Sequence, residues 1–241
     1  MICVHRLKWI LLQILCTLVE KVKHAMKQYK IAVFDLDGTI LDTAEGLLAA
    51  VKYTIDKMGL TMLSDEQLLT FIGPPIQDSF AKAYHLEGDI LQTIATCFRN
   101  RYKDYDLLKA VPYAGIYEVF ENLYQRGIRI AVATYKRQDY AELILKHFGF
   151  DKYTKIMYGA DHENKLKKVD IIEKCLLDCR IYDGLNAVMV GDSSYDAVGA
   201  QKMGIDFIGV TYGFGFRTAN EVLQAGAVGY ANTPGALINY F

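Results

Sequence analysis

The sequence predicts an α/β fold, a mostly parallel sheet with a block of helices inserted into it. Three features carry that expectation. Ile31-Ala32-Val33-Phe34 is apolar without alternation, the pattern of a strand covered on both faces as in a parallel sheet. From Val111 onward, short apolar runs alternate with segments of helical period, the rhythm of successive βαβ units. Between these regions lie four helical segments with no strand among them. They break that rhythm and read as a separate insertion over roughly residues 44 to 109.

Taken in order, residues 1 to 25 stand apart from the rest. Trp9 to Val19 is mostly apolar but broken by Gln13 and Thr17, and it falls short of the ~20 residues that span a bilayer. Gln13, Thr17, Glu20 and His24 share one helical face, which suits an amphipathic helix. Arg6 and Lys8 before the apolar run are also the opening of a secretory signal, but no small-residue cleavage site follows. The expectation is a dispensable extension, an upstream start codon being one origin for it, ahead of a domain that begins at Met26.

After the first strand, Asp42 with Glu45 three residues on has the form of a capping box, opening a helix to about Met58. Capping is therefore the role expected of Asp42. Ser64 to Thr70, Ile76 to Tyr84 and Asp89 to Tyr105 carry helical apolar spacing between Gly or Pro breaks. The βαβ rhythm resumes at Val111-Pro112-Tyr113-Ala114-Gly115, with a helix from Ile116 to Gln125 and a strand from Ile128 to Thr134. A helix from Gln138 to His147, a short strand near Lys155 to Tyr158 and a helix from Val169 to Cys179 follow. Next come a strand from Ala187 to Val190, a helix from Tyr195 to Met203 and a last strand from Phe207 to Val210. A Gly/aromatic loop and a short terminal helix close the chain.

Composition excludes several classes. With 241 residues there is room for one large domain or a core plus a small insert. The apolar fraction of 52% and charged fraction of 23% are those of a globular protein. A net charge of −1 and the lack of a Lys/Arg run argue against a nucleic-acid partner. Cys3, Cys16, Cys97, Cys175 and Cys179 are odd in number, widely spaced and not paired with histidines. They suit reduced thiols in a cytoplasmic protein. Cys175 and Cys179 lie one helical turn apart and read as half-buried helix residues.

The chemistry-bearing residues sit where strands end. Asp35 and Asp37 follow the first strand, then Gly38 lets the chain turn. In open α/β sheets, ligands bind outside the carboxyl ends of the strands. A polar turn is the competing reading, since Asp and Gly are ordinary turn residues. The run Val188-Met189-Val190-Gly191-Asp192 repeats the arrangement, and Asp196 follows four residues later. Ser193-Ser194-Tyr195-Asp196 is also a Ser-x-x-Asp capping box, so support of a cation and capping are both open to Asp196. Carboxylates converging on one crevice repel one another unless a cation neutralises them. Oxygen ligands without His or Cys favour Mg²⁺ over zinc.

The full string from Asp35, Asp-Leu-Asp-Gly-Thr-Ile-Leu-Asp-Thr, resembles the first motif of the haloacid-dehalogenase-like (HAD) phosphohydrolases, closely so in their phosphoglycolate-phosphatase branch. Val188 to Asp196 is similar to the fourth motif, and Thr134 to the hydroxyl of the second. Asn164-Lys165-Leu166-Lys167-Lys168 departs from the usual Lys-Pro-x-Pro of the third. There the apolar pair Ile171-Ile172 favours Lys168, with Lys165 as second choice. The resemblance covers roughly residues 27 to 241. It implies a doubly wound, mostly parallel, Rossmann-like core over 26–43 and 110–241, with a helical cap at 44–109.

By the same resemblance, Asp35 is the nucleophile and Asp37 the general acid and base. Mg²⁺ is held by the Asp35 and Asp192 carboxylates and the Asp37 backbone carbonyl, with Asp196 as ligand or support. Thr134 and Lys168 bind the phosphoryl group. Gly73 and Pro74, in Phe71-Ile72-Gly73-Pro74-Pro75, resemble the cap loop that helps choose the substrate; Thr211 to Gly215 lines the entrance or is a plain turn. The activity implied is Mg²⁺-dependent hydrolysis of a small, phosphoglycolate-like phosphomonoester through an aspartyl-phosphate. A nucleotide 5'-phosphatase, a pyrophosphatase and a phosphosugar mutase share that core, and intact Asp35, Asp37 and Asp192 argue against a non-catalytic module. The expected partner is a small phosphorylated metabolite, without nucleic acid or a membrane span, for a monomer or homodimer.

Overall fold

The computed structural model describes residues 28–161, 165–180 and 186–241. The amino-terminal extension over 1–25, with Cys3 and Cys16, lies outside the described residues. Six strands make the main sheet: β1 (Ile31–Phe34), β4 (Arg129–Arg137), β5 (Met157–Ala160), β6 (Ala187–Gly191), β7 (Asp206–Val210) and β8 (Gly229–Ala231). Their order is β5-β4-β1-β6-β7-β8, and every neighbouring pair is parallel. Two short strands, β2 (Leu41–Asp42) and β3 (Val111–Pro112), pair antiparallel outside it.

The order explains the apolar run that opens the domain. From β1 the chain moves outward through β4 and β5, then returns to the other side of β1 as β6 and moves outward again. That reversal makes the carboxyl ends of β1 and β6 a topological switch point, where doubly wound sheets bind ligands. Side chains alternate across a strand, so Ala32 and Phe34 join one core layer while Ile31 and Val33 join the other. Both faces are covered, hence no polar residue interrupts the strand.

Helices α5 (Ile116–Gln125) and α6 (Gln138–His147) cover the Phe34 face, where Phe34 and Phe120 pack with ring centroids 4.8 Å apart. On the Ile31 face lie α7 (Lys168–Asp178) and α8 (Ser194–Met203). Cys175 and Cys179 belong to that second layer; they are free thiols and fully buried rather than half-buried, because their stripe of α7 and its end faces the sheet. Among the described residues, no helix is long and apolar enough to cross a membrane.

The helical insertion comprises α1 (Ala44–Lys57), α2 (Asp65–Leu69), α3 (Ile76–Tyr84) and α4 (Asp89–Arg101), followed by a π-helical turn at Tyr102–Asp106. Helix α2 starts with a capping box between Ser64 and Gln67. Phe71, Phe80, Ile94, Phe98 and Tyr102 share one contiguous apolar layer with the Phe34 face of the sheet. The insertion is thus packed onto the sheet as well as within itself.

Several local expectations need correction. Asp42 does not cap α1 through a box with Glu45. It sits in β2 opposite Val111, and its Oδ1 accepts the Ala44 N–H at 3.0 Å. The N-cap is Thr43, whose hydroxyl turns away to Asp37. Strand β4 runs three residues past Thr134, to Arg137, with a register shift after Ala133. Val111-Pro112 belongs to the small antiparallel pair rather than to a βαβ unit. The chain also adds α9 (Ala219–Gln224) and a sixth main strand, β8, before its final 3₁₀ helix at Pro234–Tyr240. At three residues, β8 is too short to show a period.

The two stems of the insertion meet at Gly46. Its N–H donates to the Lys109 carbonyl at 3.1 Å, and a Cβ there would lie 2.1 Å from the Asp106 carbonyl oxygen. Backbone cannot yield as a flexible side chain does. Gly46→Ala is expected to destabilise the protein by ~1–3 kcal/mol, the usual cost of overpacking, read as a lower urea midpoint.

Candidate active site

Strand pairing assembles the site before any side chain is considered. Phe34 is in register with both Val132 and Val190. The residues just past them, Asp35, Thr134 and Asp192, therefore emerge together at the carboxyl edge of the sheet. Asp196 joins them from the first turn of α8, and Lys168 from the first residue of α7.

Three carboxylates cluster: Asp35, Asp192 and Asp196 each offer an oxygen within 4.8 Å of the others, and all three are buried. The Lys168 ammonium lies among them, 2.6 Å from Asp35 Oδ1 and 2.7 Å from Asp196 Oδ1. Burial alone would lower the pKa of that ammonium, but the charges of Asp196 and Asp35 outweigh it and raise the value. Burial pushes the Asp35 carboxyl well above the usual carboxylate range despite the opposing pull of Lys168. Asp192 is pushed up to about 6 by burial and by the Asp196 charge, against two backbone N–H donors that lower it. Lys165, the other lysine considered, is exposed, and its N–H donates to Asp161.

Asp196 serves two ends at once. Its Oδ2 accepts from the Ser193 N–H and hydroxyl at 3.1 and 2.7 Å, while Oδ1 faces Lys168. Capping and site placement, which the sequence left as rivals, coexist because a carboxylate has two oxygens. Asp192 is seated by the loop after β7: its Oδ2 accepts from the N–H groups of Phe214 and Gly215 at 2.6 and 3.0 Å. Glycine is required around it. A Cβ on Gly38 would come 2.2 Å from Asp192 Oδ2, and one on Gly213 would come 2.2 Å from the Gly38 carbonyl. The 211–215 loop is therefore more than a plain turn.

Asp37 stands apart from the triad. Its Oδ1 accepts the Thr43 hydroxyl at 2.5 Å and lies 3.0 Å from the Lys136 ammonium. Lys136 also donates to the Tyr102 hydroxyl at 2.9 Å, so a buried lysine joins the sheet edge to the end of α4. The sequence reading did not single out Lys136. Its signal is a lysine two residues past Thr134, a position that only the extension of β4 turns inward. Thr134 itself is buried, and its Oγ1 accepts the Lys136 N–H at 3.1 Å. It does not cap α6, which begins four residues later at Gln138.

Gly73 and Pro74 line both clefts that open beside Asp37. One runs between sheet and insertion past Lys136, and the other runs past Asp192, Tyr195 and Phe214. Three convergent carboxylates with oxygen donors only, Asp35 and Asp192 with raised pKa values, form a set that a hard divalent cation would satisfy. Asp37 lies outside that set, its Oδ1 being engaged by Thr43 and Lys136.

The sheet, the acid cluster and the insertion together define a haloacid dehalogenase-like hydrolase. Residues 32–210 match that family, and the chain belongs to it. Among its relatives is a 5'-nucleotidase from Pseudomonas aeruginosa, 32% identical over 80% of this chain and 87% of that protein. The tyrosine-protein kinase PtkA of Mycobacterium tuberculosis is 30% identical over 77% of this chain and 63% of its own length. Pyrophosphatase PpaX of Halalkalibacterium halodurans is 29% identical over 75% of this chain and 82% of its own. A predicted phosphatase from Clostridium acetobutylicum superposes with a TM-score of 0.81 at 33% identity, covering 87% of this chain and 96% of that one. The chain is thus a hydrolase of the HAD phosphatase kind.

Without Lys168 the three carboxylates would lose the ammonium that lies among them. Lys168→Met is expected to cost the metal-free protein ~3–5 kcal/mol, as when one partner of a buried ion pair is removed. Urea denaturation in EDTA reads this, and added Mg²⁺ should restore part of the loss.

Proposed function

We propose that the protein hydrolyses a small phosphomonoester, with Mg²⁺, through an aspartyl-phosphate on Asp35. The observation that carries this reading is the division of labour among carboxylates. Asp35 is paired to Lys168 inside the acid triad, whereas Asp37 is held separately by Thr43 and Lys136. This division supports the reading in which one carboxylate attacks and the other handles protons.

In the first half-reaction, an Asp35 carboxylate oxygen bonds to phosphorus as the bond to the leaving oxygen breaks. Asp37 gives that oxygen its proton. Thr43 and Lys136 both engage Oδ1 of Asp37, so Oδ2 is the oxygen assigned to carry the proton. In the second half-reaction Asp37 takes a proton from water, which attacks the acyl phosphate and releases phosphate from Asp35. Lys168 and Thr134 orient the phosphoryl oxygens and offset their charge, the largest contribution in such transfers. Asp35, Asp192, Asp196 and the Asp37 carbonyl would hold Mg²⁺, which when bound neutralises the carboxylates and polarises the phosphoryl group. Residues 44–109 act as a cap over the leaving group, with Gly73 and Pro74 at its tip.

A nucleotide 5'-phosphatase is the second reading, favoured by the aromatic residues Tyr195, Phe214 and Phe216 in the cleft beside Asp192. A base could stack there. Phosphate release from phosphoglycolate, nucleoside monophosphates and pyrophosphate, each with Mg²⁺ and with EDTA, separates these readings; the absence of release from every substrate overturns them all.

Asp35→Asn is expected to abolish turnover. Asp37→Asn is expected to lose ~10²–10⁴-fold, the usual worth of general acid–base help. On an ester with a good leaving group this variant should accumulate phosphate on the peptide containing Asp35, as seen by acid quench and mass spectrometry. Near-wild-type turnover in Asp35→Asn would instead indicate direct attack by water.

Gly73 has a backbone φ of +105°, a conformation strained for any other residue. Gly73→Ala and Pro74→Ala are expected to reorder the substrate panel more than they change the rate on p-nitrophenyl phosphate. An equal loss on every substrate would point to failed closure.

A further inference from the structure

The two clefts beside Asp37 differ sharply in charge. Past Asp192, the described lining carries Asp37, Asp192 and Glu221 with no lysine or arginine. Between the sheet and the insertion, it carries Arg99, Lys136 and Arg137 with only two carboxylates, Asp37 and Asp161. Those two are already engaged: Asp37 by Lys136 and Thr43, Asp161 by the Lys165 and Leu166 N–H groups at 2.9 and 3.1 Å.

Arg99 projects from α4 and Arg137 from the end of β4, so the pair spans the seam between insertion and sheet. Tyr140 bridges them, donating its hydroxyl to the Arg99 carbonyl at 3.3 Å and lying under the Arg137 guanidinium at 4.4 Å. Arg137 is forked onto Asp139 at 2.6 and 3.0 Å, whereas Arg99 makes no ion pair among the described residues. Burial lowers the Arg99 pKa, and the neighbouring Arg137 charge lowers it further. A half-buried guanidinium facing a second cation is costly unless something negative comes between them.

We propose that Arg99 and Arg137 form a subsite for a second anionic group on the leaving side of the substrate, a carboxylate or a second phosphoryl group. The inference rests on the phosphatase reading above and adds a substrate class to it. Because both arginines line one cleft with Asp37, an ester whose leaving oxygen lies at Asp37 presents its far end to them. The planar guanidinium fork matches either anion. An uncharged sugar and base has no need of two such groups, and the acidic cleft past Asp192 repels a second anion.

The test compares three esters of similar size: 2-phosphoglycolate, 1,2-ethanediol bisphosphate and 2-hydroxyethyl phosphate, with phosphate release as readout. The wild type is expected to prefer at least one anionic ester over the neutral one in kcat/KM, and the preferred one identifies the anion. Arg99→Gln should cut that preference ~10- to 100-fold, the loss of a charge-assisted hydrogen bond. Arg137→Gln should act in the same direction, and Arg99→Lys should keep part of the preference. Equal rates on all three esters, or a preference untouched in both glutamine variants, overturn the subsite while leaving the phosphatase reading intact. Failure to release phosphate from these esters and from p-nitrophenyl phosphate overturns that reading and the subsite with it.

Discussion

Asp35, Asp192 and Asp196 are buried with a ligand oxygen of each within 4.8 Å of the others. Two unit charges at that separation repel by about 3 kcal/mol at an effective dielectric constant near 20. Much of the surrounding structure answers this repulsion. Lys168 inserts its ammonium between Asp35 and Asp196, the N–H groups of Phe214 and Gly215 converge on Asp192, and Ser193 donates twice to Asp196. Burial above all, and the neighbouring carboxylate charges after it, raise the carboxyl pKa values of Asp35 and Asp192. Three buried acids so arranged are a set of oxygen donors that could hold a hard divalent cation.

The glycines follow from the same constraint. Gly38, Gly213 and Gly215 each stand where a Cβ would collide with Asp192 or its surroundings, and Gly191 stands where one would collide with the Asp196 carboxyl carbon. The walls of the cluster are thus bare backbone, which provides N–H donors at short range. Bulk on any of these positions would push the acids apart or leave their oxygens without partners.

Asp37 is handled by a separate set of contacts, and these couple the site to the insertion. Burial alone would lower the Lys136 pKa, but the Asp37 charge and the Tyr102 hydroxyl outweigh it and raise the value. Tyr102 ends α4 and stacks on Phe98, while Lys136 belongs to the sheet. A displacement of the insertion would therefore change the surroundings of Asp37 while leaving the triad, built wholly from core elements, in place. Arg99 lies on the same helix, so the surroundings of Asp37 and the cationic cleft would shift together.

Much of this was legible along the chain. The unbroken apolar run Ile31–Phe34 declared a doubly covered strand, and Asp35, Asp37 and Asp192 declared themselves by following such strands. The consecutive helices declared an insertion, and the helices at Ile116–Gln125 and Gln138–His147 have the limits their apolar spacing predicts. These features are local, fixed by side-chain period and strand ends. Others depended on which distant segments meet. Asp42 looked like a helix cap until β2 paired with β3, and β8 was too short to carry a period. Lys168 among three lysines was fixed in place by the start of α7, which directs its ammonium between Asp35 and Asp196. Lys136 became a partner of Asp37 only because β4 runs past Thr134 and α4 packs over it. Periodicity belongs to a segment by itself, whereas the neighbour of a buried charge is decided by packing between segments far apart in the chain.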